Sequence, residues 1–237
     1  MLEIRNLSVV SSDNSKKILD DINIFLKEGD FLGILGESGC GKTTLLNVVT
    51  GMLDKNLKVS GEVLFLRDDY KKISMILQDS INSLNPYEKI RNQLFETYIF
   101  HNGEKNVEQK VILLLEELGF NNADSILDKY PYELSGGMKQ RISIVLSIMT
   151  NPKILLADEP TTSLDILNQI RFIKFLKNIC YKKNISLIYV SHDIKILSAI
   201  CDRIIVMKDG KIIEEGYREE ILKNPKQEYT KLLLIFL

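Results

Sequence analysis

DFLGILGESGCGKTTLLNVVT, residues 30–50, is the stretch on which the fold turns. Asp30 to Leu35 is a nearly unbroken apolar run of strand length, as expected of a strand buried on both faces. The next eight residues, Gly36-Glu37-Ser38-Gly39-Cys40-Gly41-Lys42-Thr43, fit G-x-x-x-x-G-K-[ST], and Thr44 continues into a predicted helix from Lys42 to about Thr50. Glycines let a backbone curl until successive N–H groups point inward at phosphate oxygens, and a helix N-terminus adds its own unpaired donors. Lys42 is then the group for the terminal phosphates, and the Thr43 hydroxyl a ligand for Mg²⁺. The bland reading, a glycine-rich turn with a chance lysine, does not require the strand before and the helix after that the phosphate-binding motif demands.

Outward from this segment, the chain divides into three stretches. Leu2 to Val9 and Asn23 to Leu26 read as strands joined by the polar turn SSDNSKK, and Val59 to Phe65 and Ile73 to Leu77 as two more. From about Glu88 to Met149 the spacing turns helical, clearest in Val111 to Phe120 and Met138 to Met149. Strands and helices then alternate: ILLAD, a helix near Leu167 to Tyr181, SLIYVS, a helix near Ile194 to Ala199, IIVM and KIIEEG. That alternation predicts an α/β fold with a largely parallel sheet, interrupted by a helical lobe over about 86–144, the core being 1–85 and 145–237.

Composition narrows the functional classes. Thirty-one basic and 32 acidic residues leave a formal charge of −1, which gives no ground for a nucleic-acid partner held by a basic field. No stretch approaches the roughly 20 apolar residues of a membrane span. MLEIRNLSVV lacks the pattern of a secretory signal. Cys40, Cys180 and Cys201, odd in number and far apart, suit reduced thiols. The expectation is a soluble cytoplasmic chain whose membrane role, if any, comes through a partner.

Ile154-Leu155-Leu156-Ala157-Asp158-Glu159 is an apolar run ending in two acids. The carboxyl end of a buried strand opens at the ligand crevice of an α/β sheet. There Asp158 can hold a Mg²⁺ hydration shell and Glu159 can orient an attacking water. Solvated acids at an ordinary strand end are the plain alternative, weakened by the glycine-rich loop upstream.

Leu134-Ser135-Gly136-Gly137-Met138-Lys139-Gln140-Arg141 resembles the signature sequence of ABC ATPases, and the resemblance runs along essentially the whole chain. It implies a P-loop NTPase (RecA-like) core with an N-terminal antiparallel β subdomain and an inserted α-helical subdomain. It also implies that Ser135, Gly136 and Gly137 begin a helix facing the γ-phosphate of ATP held on an opposite subunit. Gln78 resembles the family's glutamine loop, which senses Mg²⁺ and water. Ser163-Leu164-Asp165 resembles the loop crossing the dimer interface, and His192 the switch histidine at the γ-phosphate. His101, in a polar segment, reads as a surface histidine. The family's adenine-stacking aromatic has no counterpart, since Val9 to Ile24 contain no Phe, Tyr or Trp; Ile18 offers only an aliphatic contact.

QDSINSLNP, PTTSLD, YPYELSGG and NPKQEYTKLLL look like the importer ATPases for peptides, nickel and metal–chelator complexes. That resemblance implies an ATP- and Mg²⁺-dependent subunit at the cytoplasmic face of the membrane. Its partners would be a second ATPase (a copy or a homologous chain), two integral membrane permeases and, indirectly, an extracellular binding protein. Many such importers extend past the EYTKLLL region, where this chain is expected to stop. Exporter or lipid-extraction ATPases, and soluble ABC proteins acting on ribosomes or DNA, are the alternative readings.

Overall fold

Alternate side chains of β1 (Leu2–Ser11), first Leu2 and Ile4, then Leu7 and Val9, are buried. The change of phase between Ile4 and Leu7 marks a bulge, because a one-residue slip would otherwise turn the apolar set to solvent. The computed structural model describes residues 2–13, 16–65, 72–77, 83–103, 107–117, 119–120, 122–162 and 164–235. β1 is followed by β2 (Lys17–Leu26), β3 (Phe31–Leu35), α1 (Lys42–Thr50), β4 (Leu57–Phe65) and β5 (Ile73–Ile76). Next come α2 (Ile90–Asn102), α3 (Val107–Glu117), α4 (Ala123–Leu127), a 3-10 turn at Pro131–Glu133, and α5 (Gly136–Met149). The remainder is β6 (Ile154–Asp158), α6 (Ile166–Lys182), β7 (Ser186–Ser191), α7 (Ile194–Ile200), β8 (Arg203–Lys208), β9 (Lys211–Tyr217), α8 (Arg218–Lys223) and α9 (Glu228–Leu234).

The chain forms two bodies, one of Met1–Ile73, Lys153–Glu159 and Ile179–Leu237, the other of Ser74–Pro152 and Pro160–Asn178. In the first, β2-β1-β4 make an antiparallel sheet. A second sheet runs β6-β7-β3-β8-β9 within this body, parallel except for the β8–β9 hairpin. Every residue of β3, β6 and β7 is buried, as parallel strands covered on both faces require. The register pairs Leu35 with Ser191 and Asp158 with Val190, so the three carboxyl ends finish at one level.

The second body is helical. Its α2 packs on α3, α4 and α5, with Ile90, Leu94, Val111, Leu115, Ile142 and Val145 buried. Most of α6 also belongs to it. Among the described residues no helix is long and apolar enough to cross a membrane. Among the described residues Cys40, Cys180 and Cys201 are buried and form no disulfide, and burial pushes the Cys180 thiol up to about 12.

β2 starts at Lys17, well before the Asn23 expected from sequence. A bulge opposite Leu7–Val9, where Asp21 takes φ 54°, breaks the period-two alternation and hides the first half of the strand. On the other edge of β1, the bulge between Arg5 and Ser8 is answered by Gly61 in β4 at φ 97°. A Cβ there would lie 2.5 Å from the carbonyl oxygen of Asn6. Gly61→Ala is therefore expected to cost about 1–3 kcal/mol, seen as a fall of several degrees in Tm by circular dichroism.

Candidate nucleotide site

The glycine-rich loop leaves β3 at Gly36 and enters α1 at Lys42, with Glu37, Ser38 and Gly39 exposed and Cys40 buried. Gly41 caps α1 at φ 105°. A side chain there would collide with Leu19 at 2.7 Å and the Ile18 carbonyl at 3.0 Å, so β2 leaves room for glycine alone. From behind, the Gly210 N–H donates to the Cys40 carbonyl (3.1 Å), and the Asp20 N–H to Gly210 (2.8 Å). The Cys40 thiol is pushed up by burial, which makes it a packing group and not a reactive one.

Lys42 is 5% exposed. Its Nζ donates to the carbonyls of Gly36 (2.7 Å) and Glu37 (2.8 Å) and lies 3.7 Å from Glu159 Oε1. The Thr43 hydroxyl donates to Asp158 Oδ2 at 2.9 Å. Asp158 is buried, and desolvation raises its carboxyl above the ordinary range; the Thr43 bond and Lys42 oppose this, while Glu159 adds to it. Glu159 takes the left-handed conformation (φ 43°), and its N–H donates to Val190. His192, just past β7, donates from Nδ1 to Glu159 Oε2 at 2.9 Å. The loop, Asp158, Glu159 and His192 are thus brought together at the carboxyl ends of β3, β6 and β7, an ammonium beside oxygen donors of the kind a nucleotide's phosphates and a hard cation require.

In the second body, Ser135 caps α5, accepting the Met138 N–H at 3.3 Å. Gly136 and Gly137 form the first turn, and a side chain at Gly137 would meet nothing within 4 Å, so the backbone N–H end is open to approach. Gln140, buried, donates to the Pro160 carbonyl and ties this helix to the segment after the acidic pair. The Asp165 carboxylate accepts from the N–H and side-chain amide of Asn168 (3.0 and 2.6 Å), which hold it below the usual carboxylate range. Gln78 and Ser163 lie outside the described residues.

Sequence reasoning gave no role to Tyr229, whose hydroxyl reaches the Glu37 N–H from 192 residues away. The resemblance carried by NPKQEYTKLLL covers this tyrosine but assigns it no contact; the path of the C-terminal helix brings it there.

A P-loop followed on one sheet edge by two acids and a histidine defines a nucleotide-hydrolysing P-loop cassette. The family model "ABC transporter" matches residues 19–162, and the chain belongs to that family. It is 34% identical to the metal-staphylopine import system ATP-binding protein CntD of Staphylococcus aureus, over 99% of this chain and 92% of that protein. It is also 34% identical to the oligopeptide transport ATP-binding protein AppD of Bacillus subtilis, over 99% of this chain and 77% of that protein. Among solved structures it resembles the dimeric ATP-binding cassette MJ0796 bound to ADP and Pi, with TM-score 0.76 and 28% identity over 92% of this chain and 99% of that one. The chain is an ATP-binding and ATP-hydrolysing ABC cassette.

Burial of Asp158 gives a pH signature. With its folded pKa raised, this carboxyl favours the folded state below the unfolded carboxylate pKa and loses that contribution as pH rises through the folded value. Asp158→Asn should therefore raise the Tm of the nucleotide-free protein by about 2 °C or more at pH 7, with the gap shrinking towards about pH 4. The same variant should lose magnesium-dependent turnover by roughly 100-fold or more in a phosphate-release assay.

Proposed function

We propose that this chain is the energy-coupling ATPase of an ABC importer for peptides or metal–chelator complexes. The observation that carries the catalytic part is the cluster of Glu159 with His192 at 2.9 Å and Lys42 at 3.7 Å, one residue beyond Asp158. Import of such solutes is supported by the relatives named for metal-staphylopine and oligopeptide transport.

Lys42, with two of its three protons on the Gly36 and Glu37 carbonyls, turns the third to the terminal phosphates. Thr43 and Asp158, whose oxygens lie 2.9 Å apart, are the residues that would hold Mg²⁺, and the bound cation would supply positive charge against the phosphates. Glu159 accepts a hydrogen bond from the attacking water and orients it for in-line approach. His192 fixes that carboxylate through Nδ1, and its place at the γ-phosphate is assigned by sequence resemblance. Gln78 is assigned to the water and Mg²⁺ shell by sequence resemblance.

One chain supplies the P-loop face, and Ser135, Gly136 and Gly137 of a second ATPase, a copy or a homologous chain, close over it. Asp165 sits in the loop that crosses that interface. The solved dimer of MJ0796 with ADP and Pi supports this pairing. The helical lobe over about 86–144 transmits closure to two membrane permeases at the cytoplasmic face, fed from outside by a binding protein. ATP closes the pair and hydrolysis reopens it, a two-state interface biased by phosphate charge.

Glu159→Gln is expected to keep ATP affinity while turnover falls about 100-fold or more. Tagged and solubilised from native cells with ATP present, this variant should bring down two multispanning membrane proteins. Recovery of ribosomes or DNA in their place would overturn the transport reading.

A further inference from the structure

Seven residues make too short a helix to persist alone, so α9 stands only because something fixes it. Its anchor is Glu214 of β9, whose carboxylate accepts the N–H of Lys226 (2.7 Å), the N–H of Gln227 (3.1 Å) and the hydroxyl of the fully buried Thr230 (2.5 Å). Burial pushes this carboxyl up, but the three bonds outweigh it and hold it below its ordinary value. Because β9 pairs with β8, and β8 with β3, the anchor is referenced to the strand that feeds the phosphate loop.

Tyr229 is the neighbour of Thr230 in this clamped turn. Its ring lies 4.8 Å from the Lys208 ammonium, a cation–π contact at the end of β8. Its hydroxyl accepts the N–H of Glu37 at 3.4 Å. That N–H belongs to the same peptide plane as the Gly36 carbonyl, which takes Lys42 Nζ at 2.7 Å. One peptide of the loop is thus held at both ends, by the phosphate-binding lysine on one side and by the tail helix on the other. Hydrogen bonds in series across a peptide polarise and align one another.

We infer that Tyr229 is a positioning residue for ATP: by accepting the Glu37 N–H it sets the Gly36–Glu37 peptide, and through the Gly36 carbonyl the direction of the Lys42 ammonium. This rests on the reading of residues 36–44 as the ATP cradle. Tyr229 touches no phosphate; it acts through the backbone of the loop. If it merely anchored the tail, its hydroxyl would matter to stability and not to nucleotide affinity.

Tyr229→Phe removes the hydroxyl and keeps the ring over Lys208. The expected result is a Kd for Mg-ATP about 3- to 10-fold higher, measured by titration of the full chain, with Tm within about 1 °C of the wild type. An unchanged Kd, or a loss of affinity matched by a large fall in Tm, overturns the inference. Lys42→Ala, titrated alongside, separates the two readings. If it binds ATP as the wild type does, the cradle itself is misassigned; if it loses affinity while Tyr229→Phe does not, only the role of Tyr229 fails. Amide exchange in the nucleotide-free wild-type protein gives an answer without any variant. The Glu37 N–H should be protected, and exchange at the free-peptide rate would overturn the assignment.

Discussion

A lysine ammonium that is 5% exposed cannot be left without partners, and the rest of this molecule is arranged around that requirement. Two of its partners are carbonyls of its own loop, Gly36 and Glu37, and carbonyls can converge on a side chain five or six residues ahead only if the chain turns back on itself. That turn needs the left-handed backbone of Gly41, and Gly41 in turn needs β2 packed behind it with no Cβ in the way. The nearest opposite charge, Glu159, comes from a different strand. It arrives because the parallel register of β6, β7 and β3 ends all three strands at one level.

The same crowding makes the site electrostatically tense. Asp158 and Glu159 are adjacent acids, one buried and one 11% exposed by its side chain. The Thr43 hydroxyl donates to Asp158, and His192 and the Lys42 ammonium flank Glu159. On the proposed reading, an incoming phosphate and cation complete this cluster of charge, a common trade of stability at catalytic sites. The C-terminal segment belongs to this arrangement too, since the Glu214 clamp brings Tyr229 to the outer side of the loop.

Where chemistry and backbone geometry demand the same residues, the sequence can be read directly. Helix α1 runs from Lys42 to Thr50 as its motif implies, and β6 ends in Asp158 as an apolar run followed by acids should. Phosphate binding dictates both residue type and spacing there. Legibility drops where a bulge resets the pattern: Lys17 to Ile22 belong to β2, yet the left-handed Asp21 scrambles their alternation. It vanishes for contacts made only in three dimensions. Nothing near His192 announces Glu159 as its partner, and nothing near Tyr229 announces Glu37. The short tail helices were equally illegible, because α8 and α9 are six and seven residues long and owe their form to packing and to Glu214, not to a helical repeat of their own.

Glu159 adopts a backbone that glycine or asparagine would occupy with less strain. Mutation supplies such replacements continually, and stability alone would favour keeping them. Replacing this carboxylate by glycine or asparagine would therefore relax the backbone while removing the group proposed to orient the water, so fold stability and the proposed role of Glu159 pull this position in opposite directions.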